Sequence, residues 1–207
     1  MRNKILGRLV VSFGLLGLAG VPQARAKDTA EKPLAAGALA PLFSFTDIQK
    51  REGSVEQYRD WIVVYTVADR GSSDPLMAWM GPAGIDLVRQ YPTARIARIN
   101  LADLTAVPGL MSGVVTPILR RIDNKATQQL LESYKSNKLT YNPATDMFHL
   151  IPDWDGDLML QLGVRSGEQW RVWIAHGGTV VEYLDATVPG YAERYKAAIS
   201  RLAGGLQ

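Results

Sequence analysis

The sequence predicts an α/β domain, a sheet with helices laid against it, and three stretches carry that reading. Residues 61–68, Trp-Ile-Val-Val-Tyr-Thr-Val-Ala, form an unbroken β-branched and aromatic run, the pattern of a strand buried on both faces. The run gives way to small and polar residues, and Asp74-Pro75 then offers an N-cap with proline at the first helical position. Towards the C-terminus, residues 170–175 and 179–184 read as two strands joined by His176-Gly177-Gly178, a hairpin signal, and an amphipathic helix follows over 187–202. At 207 residues and 47% apolar, the chain is long enough for one packed core and short for two.

The first 26 residues stand apart from that domain. Arg2, Lys4 and Arg8 form a basic start, residues 9–21 are apolar or small, and Ala24-Arg25-Ala26 is a small-x-small cleavage pattern. The apolar run is shorter than the roughly 20 residues a membrane span needs. It therefore reads as a cleaved export signal, with a mature chain starting at Lys27 and no stable span after cleavage. Cleavage alters the charge argument. The full chain carries 23 basic and 20 acidic residues, and removing Arg2, Lys4, Arg8 and Arg25 leaves a net charge of −1. The high pI belongs to the signal, and with it goes the case for a nucleic-acid partner. There is no cysteine, which removes disulfides, thiol redox chemistry and cysteine nucleophiles together.

In chain order, residues 27–41 are rich in alanine, proline and charge and are expected to form a flexible leader to a domain over 42–204. Phe43-Ser44-Phe45-Thr46 alternates like a half-buried strand, and Ser54-Val55 returns as its partner. Residues 56–60 make a short helical segment feeding the Trp61 strand. Leu76, Met77, Met80, Ile85 and Val88 carry a helix to about residue 90, with a kink or break expected at Gly81-Pro82. Residues 94–101 alternate into a second strand, and 103–113 form a glycine- and proline-bearing loop. Thr116-Pro117 opens a helix whose Ile118, Ile122, Ala126, Leu130 and Tyr134 fall four apart. A short strand over 148–151 and a short helix over 157–163 precede the closing hairpin.

The order hairpin, strand, helix, strand, helix, short strand, hairpin, helix resembles the thioredoxin-like fold in its peroxiredoxin- and TlpA-type elaboration. Three segments carry the resemblance: Phe43 to Asp47 with Tyr58-Arg59-Asp60 before the central strand, Ile151-Pro152-Asp153-Trp154-Asp155-Gly156 with Leu162-Gly163-Val164, and the final hairpin with Gly178 in its turn. The resemblance implies a central mixed sheet flanked by helices, with an N-terminal β-hairpin extension. More narrowly, Arg70 and Ser72 after the strand and the Trp-containing approach to the hairpin resemble exported YtfJ-type proteins of unknown function. The window that carries Cys-x-x-Cys in thioredoxins is Gly71-Ser72-Ser73-Asp74 here, and the family's cis-proline position falls on Gln169. Redox activity is therefore not implied. What is implied is an exported, periplasmic or secreted, non-redox binding module that works without a cofactor. Its protein or peptide partner would meet a groove rimmed by Gly71, Ser72, Ser73, Asp74 and Gln169.

Each candidate has a plainer reading beside it. The turn at residues 71–74 could hold an anion on backbone amides, or Ser73 or Asp74 could simply cap the helix. Asp153, Asp155 and Asp157 around Gly156 resemble half a calcium loop, but Val164 stands where the twelfth-position glutamate belongs. A looser metal or small-ligand site on that turn, serving a ligand-binding protein or an enzyme, is the alternative to the peptide-binding reading. His149 is expected to be a packed core-edge residue and His176 a solvated hairpin residue. Trp170 and Trp173, three apart on one strand, fall on opposite faces of the sheet.

Overall fold

The computed structural model describes residues 31–205, so the expected export signal and cleavage site lie outside the described residues. A five-stranded sheet of order β5-β4-β3-β6-β7 forms the centre, and a separate two-stranded sheet pairs β1 with β2. The strands are β1 (Ser44–Thr46), β2 (Glu52–Ser54), β3 (Ile62–Ala68), β4 (Ile96–Asp103), β5 (Asp146–Asp153), β6 (Arg171–His176) and β7 (Thr179–Asp185). Four helices accompany them: α1 (Arg70–Gln90), α2 (Ser112–Ser136), α3 (Asp157–Gln161) and α4 (Tyr191–Gly205). Strands β3, β4 and β5 are parallel, β6 runs antiparallel to them, and β7, antiparallel to β6, runs in their direction again.

β3 lies in the middle, and six of its seven residues are buried. Its side chains alternate between two cores, as the unbroken apolar run requires. Val63, Tyr65 and Val67 join Phe43, Phe45, Ile99, Trp173 and Met159 under the N-terminal hairpin and α3. Ile62 and Val64 join Leu76, Leu87, Ile174, Tyr195 and Ile199 beneath α1 and α4. Trp170 and Trp173 fall on opposite faces, as their spacing predicts, and both are covered. The two-residue turn between β6 and β7 places Gly177 and Gly178 at φ of 59° and 78°, the left-handed geometry of a tight hairpin.

Both proline signals were misleading as helix starts. α1 runs unbroken through Pro75 and Pro82, because Leu76, Met80, Ala83 and Leu87 form one stripe buried against the sheet. That stripe outweighs the roughly 3 kcal/mol an interior proline costs. α2 begins at Ser112, four residues ahead of Thr116, entered directly from a 3-10 turn over Gly109–Met111.

The expected leader is not loose from residue 31 onward. Gly37 and Ala40 donate backbone hydrogen bonds to Val180 and Gly178, and Val180 returns one to Ala38, so the segment covers the outer edge of β7. Farther back, Lys32 and Leu34 donate to the carbonyls of Gly163 and Leu162, and the Trp173 indole donates to the Leu34 carbonyl at 3.1 Å. Glycine is required at 163: φ is +79°, and a Cβ there would lie 2.0 Å from the Lys32 carbonyl oxygen.

A buried polar network locks the N-terminal hairpin to β5. The Asp47 carboxylate accepts the Gln49 and Arg51 amides and the Arg51 guanidinium, and it faces His149 Nδ1 at 3.0 Å. A carboxylate only accepts, so Nδ1 carries the proton and Nε2 accepts the Tyr58 hydroxyl at 2.7 Å. Burial alone would raise the Asp47 carboxyl, but the bonds from His149 and Arg51 hold it below its ordinary value. Burial lowers His149, outweighing the bond to Asp47 that would raise it. His176 is also tied in, with Nδ1 at 3.1 Å from the Trp61 carbonyl, and is half-buried where solvation was expected.

The β4–β5 sector beneath α1 is filled less completely. α2 passes over it with only Asp123 and Tyr134 buried among 25 residues. A cavity of about 90 Å³ remains between α1, α2 and the sheet.

Two outcomes follow. Gly163→Ala should lose about 2 kcal/mol in equilibrium urea denaturation, by backbone strain and displacement of the Lys32 segment; an unchanged midpoint would mean that contact is absent. Because the fold disfavours the imidazolium, the unfolded chain binds that proton more readily, and stability falls as pH drops from 7.5 to 5 through about 6.5. His149→Gln should flatten that slope, read as urea midpoints across the range; an unchanged slope would place the sensitivity elsewhere.

Candidate functional site

The parallel strands β3, β4 and β5 all end at one edge of the sheet, where β6 begins: Ala68 lies opposite Ala102, Asp103 opposite Asp153, and Val67 opposite Arg171. Five connections therefore meet there: the junction into α1, the β4–α2 loop, the β5–α3 turn, the α3–β6 loop and the β7–α4 turn, since Asp185 lies opposite Arg171. Open α/β sheets commonly place ligands at the carboxyl ends of their strands.

The start of α1 is closed by its own side chains. Asp69 is the N-cap: its Oδ1 accepts the Ser72 amide at 2.8 Å, and its own amide donates to Ser72 Oγ at 3.0 Å. This reciprocal capping box explains why the helix begins at Arg70 and not at the expected Asp74-Pro75. Asp69-x-x-Ser72 was its signal in the sequence, with the acid and the hydroxyl in the reverse of their usual order. The Asp69 carboxylate also occupies the positive end of the helix, the place proposed for an external anion.

Gly167 seals the junction from the other side. Its carbonyl accepts both the Asp69 amide at 2.9 Å and the Ser72 hydroxyl at 2.5 Å. Its amide donates to Asp103 Oδ2 at 2.7 Å. A Cβ on residue 167 would stand 2.5 Å from the Asp69 nitrogen and 2.7 Å from the Ala68 carbonyl carbon, so backbone meets backbone and only glycine fits. The loop is held at its far end too. The Arg171 guanidinium donates to the carbonyls of Ser166 and Gln169 and pairs with the Glu31 carboxylate, which also accepts the Arg165 amide.

The expected site residues therefore divide. Ser72 is buried and spent on the junction; Ser73 is half-buried, with its hydroxyl donating to the Arg70 carbonyl at 3.1 Å. Gly71, Asp74 and Gln169 are exposed at the same end. The residue pressed against the helix start is Gly167, two places before the expected Gln169. Sequence reasoning also missed Leu110 in the β4–α2 connection, which is 99% exposed at this end, with Val114 exposed one helical turn on.

The aspartate turn does not converge on an ion. Asp153 is buried and points inward, its carboxylate accepting the Met159 amide at 2.9 Å and the Leu158 amide at 3.5 Å to cap α3. Burial raises its pKa, only partly offset by those amides. Asp155 and Asp157 are exposed, and among the described residues no group of three or more His, Asp or Glu is placed to hold a metal. Among the described residues no helix is long and apolar enough to cross a membrane.

No protein-family model and no curated protein matches the sequence. Solved structures match in fold. The chain is similar to an uncharacterized conserved protein from Geobacillus kaustophilus, with a TM-score of 0.53, 14% identity and coverage of 92% of this chain and 89% of that one. It is similar to a proposed protein disulfide isomerase from Bacteroides thetaiotaomicron, with a TM-score of 0.52, 14% identity and coverage of 83% and 95%. A proposed thiol:disulfide interchange protein, DsbE, from Chlorobium tepidum gives a TM-score of 0.51 at 13% identity, covering 83% and 99%. At these identities it is the architecture that is shared. The mixed five-stranded sheet, its flanking helices and the N-terminal two-stranded extension are a thioredoxin-like fold, built here without a cysteine.

Proposed function

We propose that the protein is an exported, non-redox thioredoxin-fold module, periplasmic or secreted, that receives an extended segment of a protein partner at the end of the sheet bearing Gly71, Ser73, Asp74 and Gln169. The observation that carries this reading is the junction of Asp69, Ser72 and Gly167. At the position where thioredoxins hold their thiols, this chain has a closed hydrogen-bonded turn, with exposed residues arrayed around it. A rigid surface of this kind suits recognition, because little conformational freedom is lost on binding. Leu110, fully exposed in the β4–α2 connection, would offer the partner an apolar contact. Export rests on the basic start, the apolar run and the small-x-small site in residues 1–26. With no thiol in the chain, disulfide exchange has no nucleophile.

The test is site-specific photo-crosslinking in the native compartment, with the reactive residue at Asp74, at Gln169 or, as a control at the opposite end of β3, at exposed Asp60. The expected result is one dominant adduct from Asp74 and Gln169 and none from Asp60, with Leu110→Asp lowering the yield roughly tenfold, the equivalent of about 1.4 kcal/mol. Equal labelling at all three positions, or none at Asp74 and Gln169, would overturn the assignment.

A further inference from the structure

We infer that the cavity between α1 and α2 is a binding site for a small, neutral, apolar molecule, no larger than a single aromatic ring, with α2 as its lid. It lies on the sheet face beneath α1, away from the Asp69–Gly167 junction, and its use is independent of the proposed partner site. Its volume of about 90 Å³ is walled by Met77, Met80 and Gly81 of α1, Ala126 and Leu130 of α2, and Phe148 of β5.

The charged group on its floor is already paired, and most of the floor's polar atoms are engaged within the protein. Arg98 is paired with Asp146, which also accepts the Tyr134 hydroxyl. Asn100 donates to the carbonyls of His149 and Arg98, and its Oδ1 accepts the Thr66 hydroxyl at 2.8 Å. A carboxylate would need an unpaired cation, and Arg98, the cation in the lining, is already paired.

The space is also kept open by the sequence. A Cβ built on Gly81 meets nothing within 4 Å, so no steric demand calls for glycine at this helix-interior position, where it is disfavoured against alanine. Two methionines give the wall adaptable surfaces. Opposite them, α2 is held at separated polar points. Gln49 donates to Asp123 at 2.6 Å and Arg120 to the Ile48 carbonyl at 3.1 Å near its middle, while Tyr134 bonds Asp146 near its end. Between those points α2 buries no residue, so it can rise without unpacking a core.

The test is a methyl-detected NMR titration of the folded protein with benzene, with benzoate as the charged counterpart. The account expects saturable shifts confined to Met77, Met80, Ala126 and Leu130 with benzene and none with benzoate. Gly81→Leu should fill the space, raise the melting temperature and weaken benzene binding at least tenfold. Ala126→Leu, filling from the opposite wall, should weaken it likewise and stands in if the first variant does not fold. Absence of a saturable benzene shift, equal affinity for benzoate, or unchanged binding in a folded, filled variant would each overturn the inference.

Discussion

The rest of the structure depends on the contact of the Gly167 backbone with the junction of β3 and α1. One carbonyl accepts two donors there, the Asp69 amide and the Ser72 hydroxyl, and the approach is close enough to exclude any side chain at residue 167. Buried backbone polar groups left unpaired cost as much as a lost hydrogen bond. The loop before β6 is therefore set by this contact, and with it the course of β6 beside β3. Arg171, one residue into the stabilised segment, then collects the loop carbonyls and the Glu31 carboxylate. A chain of local requirements thus joins the central strand, the helix start and the outermost N-terminal segment.

The two faces of the sheet are organised differently. Beneath the N-terminal hairpin, the apolar core closes over a satisfied Asp47–His149–Tyr58 network, and those three groups stay away from solvent. They serve as a lock between hairpin and β5. On the other face, α1 and α4 close tightly over β3 and β6, whereas α2 rests on polar contacts over β4 and β5. One end of the sheet is closed by hydrogen bonds and one flank is covered by a helix with few buried residues, and the two proposed sites divide along that line.

Much of the fold was legible because its signals are local. The β3 run, the Gly177-Gly178 turn and the four-residue spacing of α2 each specify an element from neighbours in sequence. The errors arose where a distant contact overrode a local cue. Asp74-Pro75 has the chemistry of a helix start, yet Asp69 and Ser72 satisfy each other earlier and Gly167 secures them from 95 residues away. The Gly81-Pro82 break yields to a buried stripe, and the leader yields to the open edge of β7. In the Asp153–Asp157 turn the helix-capping reading holds for Asp153, whose carboxylate accepts the amides of α3, but it caps from a buried position where an exposed turn was expected. Of the rim expected from the sequence, Gly71, Asp74 and Gln169 are exposed at this end of the sheet. Gly167 and Leu110 were not legible, since a close backbone approach and an exposed loop side chain leave no periodic trace.

Native-state hydrogen exchange at the amides of Asp69, Ser72 and Gly167 tests the central claim most directly. All three donate within the junction: Asp69 to Gly167, Ser72 to Asp69, and Gly167 to Asp103. A closed, rigid helix start predicts that they open only with free energies close to those of the β3 amides at Val63 to Val67. Exchange near the unprotected rate at these amides, with β3 still protected, would show an open and mobile turn and contradict the account.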